Sequence, residues 1–227
     1  MKEKVLFLNV LMMLVVVALD LVYATMGGLW LKAVASASFV LLGVFNLIFA
    51  FKLKANNKKF CITMVVALFV AMLGDIVLNI NFLIGAIIFA VGHVFYFVSY
   101  CFVSKFKATD LIYGAVLSVV SSSVILFVPI LDFGGIVMKL LCLIYAIIIS
   151  FMVGKASANL VREKTIFNLV LLVGSVLFFF SDLMLLFDVF SSVSQIMGVL
   201  CLASYYPAQA LLAYSIFVGC KDQIEEK

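Results

Sequence analysis

Two aspartates stand in the middle of apolar stretches and could work as a catalytic pair. Asp75 lies in MLGDIVL, and Asp182 lies in the similar segment FFSDLML. Two carboxyl groups that are held close together away from water resist ionising at the same time, which leaves one protonated acid beside one anionic base. Such a pair suits acid–base catalysis on an ether or acetal-like bond, and it equally suits proton transfer across a membrane. The two residues by themselves leave both uses open.

Several uncharged polar side chains could orient these carboxyl groups or a water molecule. Asn79 follows Asp75 by four residues, so in a helix its amide would lie on the same face and could hydrogen-bond the carboxylate. Ser181 directly precedes Asp182 and could do the same. For each polar residue, ordinary packing between helices is the competing interpretation. The other candidates are His93, Tyr96, Tyr205, Tyr206 and Gln209.

The composition determines which elements must position these residues. The chain has 227 residues, of which 67% are hydrophobic and 11% are charged, whereas about half of a soluble domain is apolar and about a quarter is charged. The bilayer is therefore the expected solvent, and spanning segments must satisfy their backbones within helices or a closed barrel. The apolar runs are about 20 residues long, the length of a spanning helix rather than of a spanning strand. The sequence predicts an all-α, polytopic membrane protein.

Eight spanning helices are predicted, in one integral membrane domain that covers residues 1–227. The connections between them are short, so consecutive helices are expected to be antiparallel neighbours. The predicted spans are 5–23, 30–51, 60–79, 82–103, 109–130, 136–154, 166–187 and 194–218.

The basic residues predict the orientation of this bundle. The chain has 15 Lys and Arg residues, and all but Lys32 and Lys139 lie at the same ends of the predicted spans. Since positive residues are enriched on the cytoplasmic side, both termini are expected in the cytoplasm. The net charge of +4 fits attraction to the anionic inner leaflet and requires no nucleic acid partner. The short, Lys-rich loops favour the cytoplasmic membrane of a bacterium.

The charged residues of the outer half differ in expected depth. Lys32 and Lys139 could extend to the interface, or they could bind an anionic head group at the mouth of a cavity. Asp20 lies near the outer end of the first predicted helix and is expected to reach the interface. Counting about 1.5 Å per residue places Asp75 about 8 Å and Asp182 about 12 Å below the outer boundary. The last two are therefore the deeply placed acids.

The two halves of the chain share a short pattern. The first half contains G-D-x-x-L from Gly74 and then G-x7-H-x-x-Y from Gly85. The second half contains S-D-x-x-L from Ser181 and then G-x7-Y-x-x-Q from Gly198. A parallel duplication of four helices would produce this pattern, and it would agree with the alternation of charge along the chain.

The cysteines and the single histidine indicate no cofactor. The five cysteines show no C-x-x-C spacing, and most of them lie within predicted spans, where cysteine packs as a small apolar residue. No H-E-x-x-H motif or other cluster at metal-ligand spacing is present. The sequence therefore predicts neither a metal nor an organic cofactor.

The motifs around the two acids together resemble a known family. They are Gly74-Asp75-x-x-Leu78, Gly85, Phe89, Gly92-His93-x-x-Tyr96, Ser181-Asp182 and Tyr205-Tyr206-x-Ala208-Gln209. With the array of eight short-looped helices, they resemble the YhhN family of membrane proteins, whose animal members are lysoplasmalogenases. The resemblance covers essentially the whole chain. One departure is Leu183, where a small or hydroxylated residue is expected after the second aspartate.

The resemblance implies hydrolysis of the vinyl-ether bond of a lysoplasmalogen to a fatty aldehyde and a glycerophospho-alcohol. Asp75 and Asp182 would supply the acid and the base, in an order that the sequence leaves open. The substrate would be a lysophospholipid whose chain lies between helices, among membrane lipids. The residues expected to bind it or to orient the acids are Asn79, His93, Tyr96, Ser181, Tyr205, Tyr206 and Gln209, with Lys32 or Lys139 at the phosphate.

Two other functions remain compatible with the residues. A proton-coupled transporter would use the buried acids as proton carriers and would be favoured by broken helices. Only the last predicted span has an internal proline, Pro207, which is expected to kink it. A non-enzymatic lipid-binding membrane protein would retain lipid without releasing aldehyde.

Overall fold

The helices begin and end close to where the apolar runs place them. The computed structural model describes residues 2–192 and 196–225, and this part of the chain folds into eight α-helices, each long and apolar enough to cross a membrane. The prediction of an all-α membrane bundle is therefore confirmed. The helices are α1 (Lys2–Met26), α2 (Leu29–Lys52), α3 (Lys58–Leu78), α4 (Phe82–Val103), α5 (Asp110–Phe127), α6 (Ile136–Arg162), α7 (Ile166–Phe190) and α8 (Ile196–Glu225).

Two helices run further than predicted. α6 continues to Arg162 instead of ending near residue 154, because Lys155 is buried against Asp110 and does not mark a boundary with water. α8 continues to Glu225 and runs as one helix through Pro207, so the expected kink does not interrupt it. The predicted beginning of the last span, residue 194, lies outside the described residues.

Six of the described helices form a closed ring. Around this ring α2 packs on α3, α3 on α4, α4 on α6, α6 on α7 and α7 on α8, and α8 returns to α2. α1 lies outside, against α2 and α8, and Asn46 Nδ2 of α2 donates a 2.7 Å hydrogen bond to Asn9 Oδ1 of α1. Among the described helices, α5 packs against α6 alone. The interior of the ring is therefore where polar side chains can be kept away from lipid.

The helix contacts follow the predicted relation between the two halves of the chain. If α1–α4 correspond to α5–α8, the contact of α2 with α8 corresponds to that of α6 with α4, and both are present. The halves differ in two respects. α1 packs on α8, whereas α5 does not pack on α4 in the described part of the chain. α3 packs on α8, whereas α7 and α4 stand further apart and meet through long side chains, such as His93 and Phe178 with ring centroids 4.6 Å apart. The wider gap between α4 and α7 leaves room for cavities.

Glycine allows two helix pairs to approach closely. A Cβ atom on Gly85 of α4 would lie 2.5 Å from the backbone nitrogen of Leu78 in α3. A Cβ atom on Gly154 of α6 would overlap the backbone of Gly114 in α5. Small residues at helix contacts are a common means of packing within a membrane, and here they place α3 beside α4 and α5 beside α6.

A buried ionic cluster, which we call the Asp110 cluster, fastens the N-terminal end of α5 to α6. Asp110 pairs with Lys155 Nζ at 2.9 Å and also with Arg162. Lys155 is fully buried and Asp110 is 3% exposed, so each charge is compensated by protein groups rather than by water. Ser104, which follows α4, accepts hydrogen bonds from Lys155 and Arg162 and completes the cluster.

Candidate active site

Asp75, on α3, lies inside the ring with partners at both carboxylate oxygens. Its Oδ1 atom is 2.9 Å from Lys32 Nζ. Its Oδ2 atom accepts hydrogen bonds from Ser36 Oγ at 2.5 Å and from Tyr206 OH at 3.1 Å. Only 5% of Asp75 is exposed, so the Lys32 ammonium group supplies the compensation that water cannot supply. Asp75 is therefore half of a buried ion pair with two additional hydroxyl donors.

Lys32 is buried inside the bundle and does not extend to the lipid interface. In addition to its pairing with Asp75, its ammonium group donates a hydrogen bond to Asn79 Oδ1 at 3.0 Å. The expected hydrogen bond between Asn79 and Asp75 is thus replaced by a bridge through Lys32. The amide nitrogen of Asn79 donates instead to Tyr23 OH, at 3.4 Å. Lys32 thus contacts both Asp75 and Asn79, the residue that follows the last residue of α3.

Asp182, on α7, has partners of a different kind. Tyr145 OH donates a 2.6 Å hydrogen bond to Asp182 Oδ2, and His93 Nε2 lies 3.2 Å from the same oxygen. Tyr145 OH and His93 Nε2 are 2.7 Å apart, so the three groups form a triangle. In the described part of the chain, no lysine or arginine lies within ion-pair distance of Asp182. The two predicted acids therefore occupy electrostatically different sites.

The surroundings of His93 indicate which ring nitrogen carries the hydrogen. The residue is fully buried, and its Nδ1 atom has no hydrogen-bond partner among the described residues. An unpaired buried N–H group is costly, so we assign the hydrogen to Nε2, where Asp182 and Tyr145 can accept it. Both donors then converge on Asp182 Oδ2, and Asp182 Oδ1 stays outside the triangle.

Tyr145 and Ser36 were not among the residues that the sequence analysis selected. Tyr145 stands alone in the apolar segment LCLIYAIII of α6, and a buried tyrosine hydroxyl usually requires a partner. That rule could have drawn attention to it. Ser36 lies in ASAS, a segment whose small residues are equally typical of helix packing, so its sequence context contains no comparable signal.

Ser181 and Tyr205 line the same side of the interior as Asp182 but make other contacts. The Ser181 hydroxyl lies 3.4 Å from Cys201 Sγ, so the expected hydrogen bond to Asp182 is not the one observed. The Tyr205 ring packs edge-on against Phe178, with centroids 5.4 Å apart. Its hydroxyl is buried and has no partner among the described residues. That hydroxyl therefore has unused hydrogen-bonding capacity beside the cavity that the Tyr205 side chain lines.

The two carboxyl groups line one cavity of about 300 Å³, which we call the polar cavity. It lies towards the C-terminal ends of α3 and α7, where Asn79 and Asp188 are exposed. A ligand in this cavity could contact both acids. The polar side chains that line it include Lys32, Asp75, Asn79, Asp182, Asp188 and Tyr205.

A smaller cavity of about 80 Å³, the apolar cavity, lies beside the polar one. Asp182 lines both cavities and therefore stands at their junction. Tyr145 lines the apolar cavity, while Asp75 and Lys32 line the polar cavity. Asp75 therefore faces the polar cavity alone, whereas Asp182 faces both cavities.

Two other charged residues that the sequence analysis considered, Asp20 and Lys139, take no part in this arrangement. Asp20 is only 4% exposed, so it does not reach the interface as expected, and its Oδ1 atom has no partner among the described residues. Lys139 does not belong to the lining of the polar cavity. Its Nζ atom lies 5.9 Å from the centroid of the Phe133 ring, near the N-terminal end of α6.

The two acid sites are built in the same crossed manner. Tyr206 of α8 contacts Asp75 of α3, and His93 of α4 contacts Asp182 of α7. His93 and Tyr206 occupy the same place in the repeated G-x7 pattern. Each half of the chain thus supplies one acid and one ring side chain that contacts the acid of the other half.

The fold and the site define a helical integral membrane protein with two acids, one buried and one partly buried, on a shared cavity. A comparison with protein families matches the YhhN family over residues 33–216, a range that contains both acids. The chain belongs to the YhhN family. Comparisons with curated proteins and with solved structures found no significant match.

Proposed function

We propose that the protein is a lysoplasmalogenase-like ether hydrolase that cleaves the vinyl-ether bond of a lysoplasmalogen. The observation that carries the proposal is that Asp75 and Asp182, from different halves of the chain, line one cavity within the bundle. Membership of the YhhN family supports the same reaction, since its animal members are lysoplasmalogenases. The apolar cavity beside the polar one supports a substrate with both a hydrocarbon chain and a polar head.

The reaction requires a proton on one alkenyl carbon and water on the next. An acid protonates the second carbon of the alkenyl chain, which turns the first carbon and the ether oxygen into an oxocarbenium ion. Water adds to the first carbon while a base accepts its proton, and a hemiacetal forms. The hemiacetal hydroxyl then loses its proton, the ether oxygen gains one, and the carbon–oxygen bond breaks. One water molecule is consumed, and a fatty aldehyde and a glycerophospho-alcohol are released.

The surroundings of the two acids support a division of these roles. Asp75 pairs with the Lys32 ammonium group and accepts two hydroxyl hydrogen bonds, an environment that suits an anionic base. Asp182 stands at the junction of the two cavities, where the alkenyl carbons of a bound chain would meet the polar head. We therefore assign Asp182 as the proton donor to carbon and Asp75 as the base for water.

The neighbouring polar residues support positioning roles. His93 and Tyr145 would fix the orientation of Asp182, since both contact its Oδ2 atom. The unpaired hydroxyl of Tyr205 would bind the attacking water or the ether oxygen. Lys32, which lines the polar cavity, would face the phosphate, whereas Lys139 stays a prediction from the sequence.

Aldehyde release tests the proposed reaction. The purified protein in detergent, given a 1-alkenyl lysophosphoethanolamine, should release fatty aldehyde. Asp75→Asn and Asp182→Asn should each lower the rate by about a hundredfold or more, the usual effect of losing an acid or base. Asp132→Asn, an exposed residue of the segment between α5 and α6, is the matched control. No release by folded wild-type protein, or unchanged rates in both site variants, contradicts the proposal.

The same preparation separates hydrolysis from the two alternatives. A proton-coupled transporter would move its substrate only in sealed vesicles with a proton gradient, whereas hydrolysis persists in detergent. The described helices are continuous, including α8 through Pro207, so the structure offers transport no broken-helix site in that part of the chain. A lipid-binding protein would retain the substrate intact. We further propose that the chain forms one membrane domain in the cytoplasmic membrane of a bacterium.

A further inference from the structure

The apolar cavity has a lining that suits hydrocarbon. It lies between α4, α5, α6 and α7, and its polar lining consists of Ser121, Tyr145 and Asp182 besides one cysteine. Along α6 the lining extends from Leu141 to Ile149, about 12 Å of helix axis at 1.5 Å per residue. Such a narrow and elongated space suits one extended chain rather than two.

The apolar cavity adjoins the polar cavity and shares part of its lining. Leu78, Phe82, Phe89, Asp182 and Leu185 line both. A molecule with a hydrocarbon chain in one cavity and a polar head in the other would therefore pass directly over Asp182. Neither cavity alone could hold such a molecule.

We propose that the apolar cavity is the binding site for the single hydrocarbon chain of a lysophospholipid, which enters from the outer leaflet between α6 and α7. This inference rests on the proposed function for the identity of the lipid. It adds the place of the chain, the route of entry and the residues that limit chain length.

The depth of the cavity supports entry from the outer leaflet. Its lining includes Phe82, the first residue of α4, and Phe190, the last residue of α7, and both lie at the outer ends of their helices. At the other end, Ile149 lies about 20 Å along α6 from its outer end. A chain from the outer leaflet would therefore enter with its methyl end towards Ile149 and its polar end towards the polar cavity.

The packing of α5 supports a lateral entry. By backbone contact, α5 packs on α6 and not on α7 among the described helices, and its Ser121 and Ile125 line the cavity from that side. The boundary between α6 and α7 is therefore not closed by the backbone of α5. Leu183 and Leu186 of α7 line the cavity and are only partly buried. α7 thus lines the cavity with leucine side chains, which can move aside for a hydrocarbon chain without exposing polar backbone.

Photolabelling of the wild-type protein tests the location of the chain. The probe is a 1-O-alkyl lysophosphoethanolamine, which lacks the vinyl group and cannot be hydrolysed, with a diazirine at the end of its chain. We expect labelling of peptides of α6 and α7 around Ile149 and Phe179, and we expect excess unlabelled hexadecyl ether to remove it. Labelling that excess hexadecyl ether does not remove, or labelling spread over lipid-facing helices such as α1, overturns the proposal.

Chain-length selectivity tests the same site by substitution. Ala146→Phe would fill the cavity, and Ile144→Phe adds the same bulk two residues earlier on the lipid-facing side of α6. For Ala146→Phe we expect binding of the hexadecyl ether to weaken about tenfold or more, because single pocket contacts are worth that much, while a butyl ether, whose chain is too short to reach residue 146, binds as before. Ile144→Phe should change neither. Equal effects on both ethers, or none, overturn the proposal.

The two proposals fail in distinguishable ways. Competed labelling at Ile149 without any aldehyde release from the alkenyl lipid would retain the chain site and remove the hydrolase. Aldehyde release together with labelling elsewhere would retain the hydrolase and remove the chain site.

Discussion

The hydroxyl of Tyr96 donates a 2.6 Å hydrogen bond to the side-chain oxygen of Gln209, and both residues are fully buried. They occupy the same place in the G-x7 pattern of their respective halves. Their helices, α4 and α8, are not packed on each other, so the bond crosses the interior of the ring. It joins the two halves of the chain about one helical turn from His93 and Tyr206, the residues that contact the two acids.

A double-mutant cycle should show that this hydrogen bond couples the halves. Gln209→Leu leaves the Tyr96 hydroxyl buried without its acceptor, which should cost about 1–3 kcal/mol of unfolding free energy. Adding Tyr96→Phe removes the unpaired hydroxyl. The double variant should therefore lose less unfolding free energy than the sum of the two single losses. Denaturant unfolding in detergent measures the coupling. Strictly additive effects would show that the bond contributes nothing.

Removing the Lys32 cation should affect both stability and activity. Lys32→Met leaves Asp75 buried without its cation, and loss of one partner of a buried ion pair costs about 3–5 kcal/mol. Adding Asp75→Asn should restore much of the thermal stability without restoring aldehyde release. Lys139→Met, at the corresponding place of α6, should leave the melting temperature and the rate unchanged. A Lys32→Met protein as stable as wild type would contradict the buried ion pair.

Removing the Tyr145 hydroxyl should slow catalysis with little effect on substrate binding. Tyr145→Phe keeps the ring but removes the 2.6 Å hydrogen bond to Asp182. As Asp182 gives up its proton it becomes an anion, and a hydrogen bond to a charged group is worth about 1.5–3 kcal/mol. Losing that bond should therefore lower kcat about 10- to 100-fold while KM stays nearly constant. Tyr113→Phe, an exposed tyrosine of α5, is the matched control. A change confined to KM would assign Tyr145 to the chain site alone.

The Asp110 cluster should contribute to stability and not to catalysis. Asp110→Asn leaves the fully buried Lys155 without its carboxylate, so the melting temperature in detergent should fall clearly. Arg162→Gln should have a smaller effect, because the Arg162 side chain is 21% exposed and partly solvated. At temperatures where the variants stay folded, aldehyde release should be normal. Lost activity in folded Asp110→Asn would connect this end of the bundle to the site.

The sequence predicts most of the fold because the bilayer restricts the choices. Long apolar runs can only be spanning helices, and their short connections make neighbours antiparallel. Where the prediction fails, as at the end of α6, a charged residue was assumed to lie in water. Lys155 is buried instead, because a partner from α5 compensates it. A pairing of that kind depends on the packing of helices and cannot be inferred from spacing along one of them.

The candidate site was predictable in its acids and less so in their partners. Asp75 and Asp182 were evident because a carboxyl group is costly in lipid. The contact of Lys32 with Asp75 and that of Tyr145 with Asp182 join different helices. Hydrogen bonds expected within one helix, such as that of Asn79, gave way to contacts between helices. Spacing along a helix identifies a shared face but does not identify the neighbour of that face.

The crossed arrangement of the two acid sites also bears on how the protein is made. The ribosome releases α1–α4 before α5–α8, so the first half enters the bilayer before His93 can contact Asp182 and before Tyr206 can contact Asp75. Asp75 already has Lys32 within its own half, and its charge is neutralised from the beginning. The first half can therefore reside in the membrane with the charge of Asp75 already paired. Both acid sites are completed only when the second half is inserted.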